Sequence, residues 1–516
     1  MSNYEYDVII IGAGIGGLTD GNILAKNGMK VLILEKNFAP GGGVSTYYRN
    51  GYPIDISHAI PSLNEGAFLR EMFEYLNVYK KLEFLKLNKT FIFVTVNQNK
   101  PIFCYADFDR YAEELKSYFP DEAENVKRLF NEIKVVWSKE LLKTYYNPSP
   151  LLLLSYPILF PRSFKYRNYT FEQFLNRFIK SAQVKEVISV GWPYLGEVKE
   201  CLSALYMISM LGAYHQDGSY FIKGGFGRLV EVLISNFKDS GGDILLNTEV
   251  EKILLNNKKA AYGVRDKKGN IYSGKIIVSN ADSKKTFLEL LDKNSLPNKF
   301  LGRIEEMQMT RSAVQVHIFA EAEVDKEFLS CGSIILPFLV DLEKKLRLII
   351  KSNEKPYEKP ALILSIHPLE NFIAGSPENN FVFNVGWYPA NYQIWKTFFG
   401  CFGKEEYENI KREISQTIIG ELKKVWQIKN VKFTNVLTPL SMEKWLGATD
   451  GAIYDLAITP QQSLLNRLKH RTPVKDLYLV GTKTFPGSGM AGAFLSAFAL
   501  GDIILKGKLT KGRTVL

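Results

Sequence analysis

The chain has 516 residues, a net charge of +11, four cysteines and five histidines. Its length exceeds one nucleotide-binding unit and predicts two domains. Basic and acidic residues are interspersed, which excludes a nucleic-acid module and leaves an anionic membrane surface as the better macromolecular partner. Cys104, Cys201, Cys331 and Cys401 lie far apart with no CxxC, the histidines are scattered, and neither HExxH nor GxSxG occurs. Disulfides, a metal site, a metalloprotease and a serine hydrolase are therefore not expected, and the cysteine usage suits a reduced cytosolic protein.

The first predicted element is a strand at Val8 to Ile11, a continuous apolar run suited to burial on both faces. It lies so close to residue 1 that no leader peptide is expected before it. Gly12, Gly14 and Gly17 follow in G-x-G-x-x-G spacing, for a tight turn, a close approach to a pyrophosphate and helix–strand packing in that order. Gly28 ends the helix, and a second strand, Val31 to Leu34, runs into Glu35. That carboxylate suits a ribose hydroxyl pair and repels a 2′-phosphate, so an adenine dinucleotide is expected and NADP disfavoured.

Gly41, Gly42 and Gly43 then leave backbone N–H groups open to the same ligand, or form a plain surface loop. From Leu63 to about Tyr220 the pattern reads as helical. Asp107 or Asp109 caps one helix, and a second carries Val126, Leu129, Phe130, Ile133, Val136 and Trp137 on one side. Leu151 to Phe160 is apolar except for Ser155, is interrupted by Pro157, and is followed by Arg162, Lys165 and Arg167. Too short to span a bilayer, it suits either shallow insertion among anionic headgroups or the wall of an apolar tunnel.

At Phe221 the α/β pattern resumes. A glycine loop at Gly224, Gly225 and Gly227 opens a helix to about Lys238, strands follow at Asp243 to Leu246 and Val250 to Leu255, and a meander returns to the main sheet at Ile276 to Val278. Met309 to about Leu446 reads as a second mixed block. There Val314, Val316 and Ile318 alternate with polar neighbours, as do Leu362, Leu364 and Ile366, and Tyr407 to Trp426 is helical. Its dense aromatics, among them Trp387, Tyr388 and Trp395, are mostly core, with a minority expected along an apolar cavity. A last strand, Leu477 to Val480, meets Gly481, Pro486, Gly487 and Gly489 before a helix through Phe494, Leu495 and Leu500, so a helix N-terminus faces whatever precedes it.

With these three glycine segments in place, the chain closely resembles the phytoene desaturase-like flavoproteins, a branch of the amine oxidase superfamily that includes carotenoid isomerases and retinol saturases. The resemblance is strongest over Val8 to His58, Gly224 to Asp282 and Gly447 to Gly501, and includes Ser279-Asn280-Ala281-Asp282 and the run Pro486 to Met490 followed by Ser496. It implies an α/β fold, a Rossmann-type FAD-binding domain with a discontinuous mixed α+β substrate domain. The corresponding divisions are 1–90, 221–305 and 447–516 for the FAD unit, 91–220 for a helical insertion, and 306–446 for the substrate domain. The implied FAD contacts are Gly12, Ala13, Gly14, Ile15, Gly16, Gly17, Glu35, Lys36, Gly42, Gly43, Val44, His58, Ala59, Ile60, Val250, Asn280, Gly481, Gly489, Met490 and Ala491.

Some positions depart from the desaturase pattern. Gly43 stands where a basic residue is usual, and Thr482, Lys483 and Phe485 differ as well. Phe485-Pro486-Gly487 is closer to the isomerase and saturase side. His58 replaces a common glycine, as either a proton donor or a hydrogen-bonded structural residue. The expected activity is hydride transfer at flavin N5 on a carbon–carbon double bond of an apolar, isoprenoid or carotenoid-like substrate. Reduced-FAD isomerisation without net redox change is the alternative, followed by amine oxidation and by binding without turnover. The electron partner is expected to be external, a quinone, oxygen or a reductase. The expected location is cytoplasmic, either free or peripheral on the inner face of a membrane.

Overall fold

The computed structural model describes residues 4–94, 100–146, 155–336, 341–353, 361–507 and 509. Two seven-stranded sheets organise it. In the first, Asp243–Leu245, Val31–Leu34, Tyr6–Ile11 and Ile271–Ser279 lie side by side and parallel, with Leu477–Leu479 parallel to the outer part of Ile271–Ser279. The antiparallel strands Ala261–Asp266 and Val250–Leu255 complete the sheet through the inner part of that long strand. The meander thus returns to the main sheet where the sequence predicts, and this sheet with its flanking helices is of the α/β type. Val8, Ile9, Ile10 and the whole of Val31–Leu34 are buried, which is why these strands read as unbroken apolar runs.

The second sheet runs in the order Gln427–Leu437, Ser312–Glu323, Asn380–Ala390, Ala361–Pro368, Cys331–Leu336, Lys89–Phe93 and Ile102–Tyr105. Its last two strands correct the helical expectation for residues 63–220. Thr90-Phe91-Ile92-Phe93 is a β-branched and aromatic run, and it pairs parallel to Cys331–Leu336 instead of coiling. Phe84–Leu87 and Ser219–Ile222 also pair as strands. Elsewhere in that stretch the helices form as expected. Asp107, not Asp109, is the cap, accepting the N–H groups of Asp109 and Arg110, and Ala123–Val135 buries Val126, Leu129, Phe130 and Ile133.

One face of the second sheet, with Val314, Val316, Ile318, Leu362, Leu364 and Ile366, packs with residues of helix Tyr392–Leu422. That helix starts well before Tyr407 and is interrupted at Gly403, where φ is +72°, and Trp426 lies beyond its end. Of the apolar segment Leu151 to Phe160, residues 151–154 lie outside the described residues. The remainder forms a short helical turn, Tyr156–Leu159, whose Ile158 and Leu159 are 82% and 54% exposed. Among the described residues no helix is long and apolar enough to cross a membrane.

Helix Ile15–Lys26 is buried along nearly its whole length, between helices Gly227–Asp239 and Gly489–Ile504. Within it Asp20 is fully buried, and neither carboxylate oxygen has a hydrogen-bond partner among the described residues. Burial alone pushes its pKa well above the usual 3.8. Below about pH 3.8 both folded and unfolded forms are protonated and Asp20 costs nothing through ionisation; as pH rises past that value only the unfolded chain ionises, which favours unfolding. Asp20→Ala is therefore expected to stabilise the protein by about 1–3 kcal/mol at neutral pH. In urea titrations the gain should be larger at pH 7 than at pH 4.

Candidate functional site

A cavity of about 600 Å³ is lined by residues of both sheets, including Ile11, Leu34 and Val250 from the first and Gln315, Ile363 and Tyr388 from the second. It begins at the carboxyl ends of the parallel strands, where open α/β sheets bind ligands. Gly12, at φ +95°, turns the chain there, and helix Ile15–Lys26 starts at Gly14 without any side-chain cap. Its first N–H groups are thus available to an anion. The second glycine segment lies directly on the first: Gly41 N–H donates to the Ala13 carbonyl at 2.8 Å, and a Cβ on Gly42 would stand 3.3 Å from Gly14 Cα. Asn280 closes the other side, since a Cβ on Gly14 would meet its Nδ2 at 2.8 Å and one on Gly16 would meet its Oδ1, and Gly481 Cα, at 2.8 Å.

Glu35 is buried, and both its oxygens accept backbone N–H groups, Oε2 from Ala13 and Oε1 from Asn37, each at 2.8 Å. Burial pushes its pKa up, while these donors and the neighbouring Lys36 pull it down. Lys36 is itself anchored, donating from Nζ to the Lys444 carbonyl at 2.7 Å. In the third segment, helix Gly489–Ile504 also begins without a side-chain cap. Ser496, one turn and more inside it, accepts the Gly481 N–H at 2.8 Å and lies 2.6 Å from Thr484 Oγ1, tying the glycine loop to the helix. The buried ammonium of Lys483 donates to the Val480 carbonyl at 2.9 Å. Burial pushes its pKa down, and Asp455 and Asp282 pull it back.

The same cavity has an aromatic lining, with Phe68, Trp137, Tyr194, Tyr206, Tyr214 and Tyr388. Their polar atoms are held elsewhere: Tyr194 with Ser333 Oγ at 2.6 Å, Tyr206 with the Pro486 carbonyl, Tyr214 with the Ala59 carbonyl at 3.1 Å, and Trp137 with Asp217 at 3.0 Å. The rings therefore present apolar faces to the chamber. Burial pushes the phenols up, that of Tyr388 to about 12, so they stay neutral. His58 lines the cavity too, with Nδ1 3.0 Å from Ser365 Oγ and a buried Nε2 that has no partner among the described residues. Burial, and then His317, push it down to about 4, so its imidazole is neutral.

Of the residues expected at the site, Gly12, Gly14, Ile15, Gly16, Glu35, Lys36, Gly42, Gly43, Val44, His58, Ala59, Val250, Asn280, Gly481, Gly489, Met490 and Ala491 line this one cavity. Ala13, Gly17 and Ile60 do not. Ala13 acts through its N–H on Glu35; Gly17 packs so closely on the first turn that a Cβ would overlap the Gly12 carbonyl; and Ile60 is a buried strand residue paired with Tyr220. Sequence reading included Ala204–His215 in a helical stretch but missed that its Tyr206, Ser209, Met210, Ala213 and Tyr214 share one face and line the cavity. Their three-to-four spacing was the available signal.

The profile of flavin containing amine oxidoreductases matches residues 15–500. The chain belongs to that family. It is 27% identical over 497 residues to prolycopene isomerase 1 of an Oncidium hybrid cultivar, covering 94% of this chain and 81% of that protein. It is 25% identical over 532 residues to all-trans-retinol 13,14-reductase of Danio rerio, covering 98% and 87%. In fold it is similar to cyclohexylamine oxidase of Brevibacterium oxydans IH-35A, with a TM-score of 0.58, 16% identity and 97% and 99% of the two chains covered. The protein is thus a flavin enzyme. Open N–H groups at two helix starts, a glycine cradle and a fixed carboxylate suit such a cofactor. Gly14→Val should therefore lower the flavin-to-protein ratio at least about tenfold while leaving the far-ultraviolet circular dichroism unchanged, because the side chain fills the anion's approach.

Proposed function

We propose that the cofactor is FAD and that the enzyme acts on a carbon–carbon double bond of an apolar, isoprenoid or carotenoid-like substrate. The observation that carries this reading is a single cavity lined both by glycine segments with open backbone N–H groups and by a cluster of aromatic side chains. The relatives named for prolycopene and all-trans-retinol, both matched over nearly the whole chain, support the substrate class. The FAD unit would be assembled from the residues before 91, 221–305 and 447–516, with Glu35 toward the adenosine ribose and Gly14, Gly16, Gly42 and Gly43 around the diphosphate. Residues 91–220 and 306–446 would form the helical insertion and the substrate domain.

When bound, the flavin supplies or accepts a hydride at N5. The protein's part is to lay the double bond against the ring, to keep water out with Phe68, Trp137 and the tyrosines, and to hold a neutral His58 at the cavity wall. Few acids or bases are required. Isomerisation without net redox change is the second reading, favoured by Phe485-Pro486-Gly487 and by the isomerase relative. An external quinone or reductase would exchange electrons with the flavin. The exposed Ile158 and Leu159, close to exposed Arg162, Lys165 and Arg167, suit docking on an anionic membrane, from which such a substrate and a quinone would come.

Anaerobic incubation of oxidised and of pre-reduced enzyme with polyprenyl, retinoid and carotenoid substrates tests this by product mass. Loss or gain of two hydrogens is expected, and an unchanged mass with altered retention marks the isomerase. Peroxide release on amines, with no product from any polyene, would overturn the reading. Ile158→Asp with Leu159→Asp should weaken sedimentation with anionic liposomes by about tenfold or more, since two large apolar side chains leave the interface.

A further inference from the structure

Among the described residues five tyrosines line the cavity: Tyr194, Tyr206, Tyr214, Tyr388 and Tyr454. The protein itself engages four of their hydroxyls. Tyr194 pairs with Ser333, Tyr206 with the Pro486 carbonyl, Tyr214 with the Ala59 carbonyl, and Tyr388 with the Gln315 side chain. The Tyr454 hydroxyl has no hydrogen-bond partner among the described residues. Its surroundings also differ from those of two other unpartnered oxygens of the cavity wall, Gln315 Oε1 and Ser488 Oγ, which their neighbours cover completely. Tyr454 is partly accessible and its oxygen is not covered, so the O–H opens into the cavity.

The residue is held on both sides. Tyr454 N–H donates to Thr310 Oγ1 at 3.0 Å, the Thr310 N–H donates to the Asp455 carbonyl at 2.7 Å, and the Asp455 carboxylate accepts the Ser283 N–H at 3.0 Å. On the other side Ile453 packs so closely that a Cβ on Gly196 would stand 2.7 Å from its Cγ1. A tyrosine has only two side-chain torsions left to order, so this backbone offers a donor already near its working position. A phenylalanine would supply the same apolar ring without the cost of an unpaired O–H removed from bulk water. Burial, and then Tyr388 and Tyr214, push the phenol pKa up, so the group stays protonated. Those two neighbours are themselves neutral phenols, and such surroundings favour an uncharged ligand atom over a carboxylate or an ammonium.

We infer that the Tyr454 hydroxyl donates a hydrogen bond to an uncharged oxygen, a hydroxyl or a carbonyl, at one end of the substrate. This rests on the double-bond reading above and narrows its substrate class from isoprenoids in general to oxygenated ones. Consecutive double bonds of a polyene are nearly alike to an apolar wall, so burial alone lets the chain slide along the cavity. One hydrogen bond at a fixed point sets the register, and with it which double bond meets the flavin. The same donor disfavours an analogue without an acceptor, because its own O–H then goes unpaired.

The test is equilibrium binding of three ligands to the flavin-loaded protein, in the dark and without an electron donor, followed by quenching of tryptophan fluorescence. The ligands are all-trans-retinol, all-trans-retinal and the hydrocarbon that carries a methyl group in place of the retinol CH2OH. Retinol and retinal should bind about tenfold or more tighter than the hydrocarbon, the difference one hydrogen bond makes. Tyr454→Phe should bring all three to the hydrocarbon's affinity at unchanged flavin content and visible spectrum. Equal affinities in the wild-type protein would overturn the inference without any variant, as would a preference that survives in Tyr454→Phe. A flavin content or spectrum altered by Tyr454→Phe, with the ligand preference intact, would assign the hydroxyl to the cofactor and overturn it too. Failure of all three ligands to bind the wild-type protein would overturn the isoprenoid reading and this inference with it, whereas binding of all three without preference would overturn this inference alone.

Discussion

Asn280 occupies the point on which the binding site depends. Its side chain stands within contact distance of positions 14, 16 and 481, so the first glycine loop and the last are separated by little more than one amide. A diphosphate needs many N–H donors at short range, and a backbone can supply them only where no Cβ intervenes and where helices begin uncapped. Both conditions hold at Gly14 and at the start of helix Gly489–Ile504. The parallel strands hold these segments in register: Ile11 pairs with Ser279, and Ser279 in turn pairs with Leu479. Three distant stretches of chain therefore converge because three neighbouring strands end at the same level.

The second sheet solves a different problem. One face is packed in an ordinary apolar core with helix Tyr392–Leu422, and the other packs against Ile54 and its neighbours and borders the cavity. That inner face is graded, with Ile363 and Tyr388 lining the cavity and the polar row from Ser365 to Asn435 behind them. The segment Asp55 to His58 lies over the boundary, touching His317 through its carbonyl and Ser365 through an imidazole. The Asp55 carboxylate also accepts the Phe226 N–H at 2.6 Å and the Thr46 hydroxyl at 2.9 Å, so the segment that carries His58 is fixed to the entry of helix Gly227–Asp239 as well.

Much of this was legible in the residues. The strand at Val8, the turn at Gly12, the acceptor at Glu35 and the glycine entry to the last helix are local devices whose spacing is dictated by backbone geometry, and each lies where its pattern indicates. The alternation at Val314, Val316 and Ile318 was legible too, but periodicity distinguishes two faces without saying what covers them. His317 and Ser365 read equally well as solvent-facing residues. Lys89–Phe93 was misread because its short β-branched and aromatic run sits inside a helix-rich stretch, and its partner, Cys331–Leu336, lies more than two hundred residues away.

By itself the sequence determined the strand, glycine turn and helix at the amino end, the carboxylate that follows the second strand, and the two-faced strands of the second sheet, because these follow from glycine, carboxylate and apolar spacings within a few residues of one another. Only the tertiary structure decided that one face of helix Ala204–His215 lines the cavity, that His58 is buried, and that Asn435, His317, Asn384 and Ser365 form one buried row. Those outcomes depend on register between strands and on which surface covers which, and pairings across long separations leave no periodic mark in either partner.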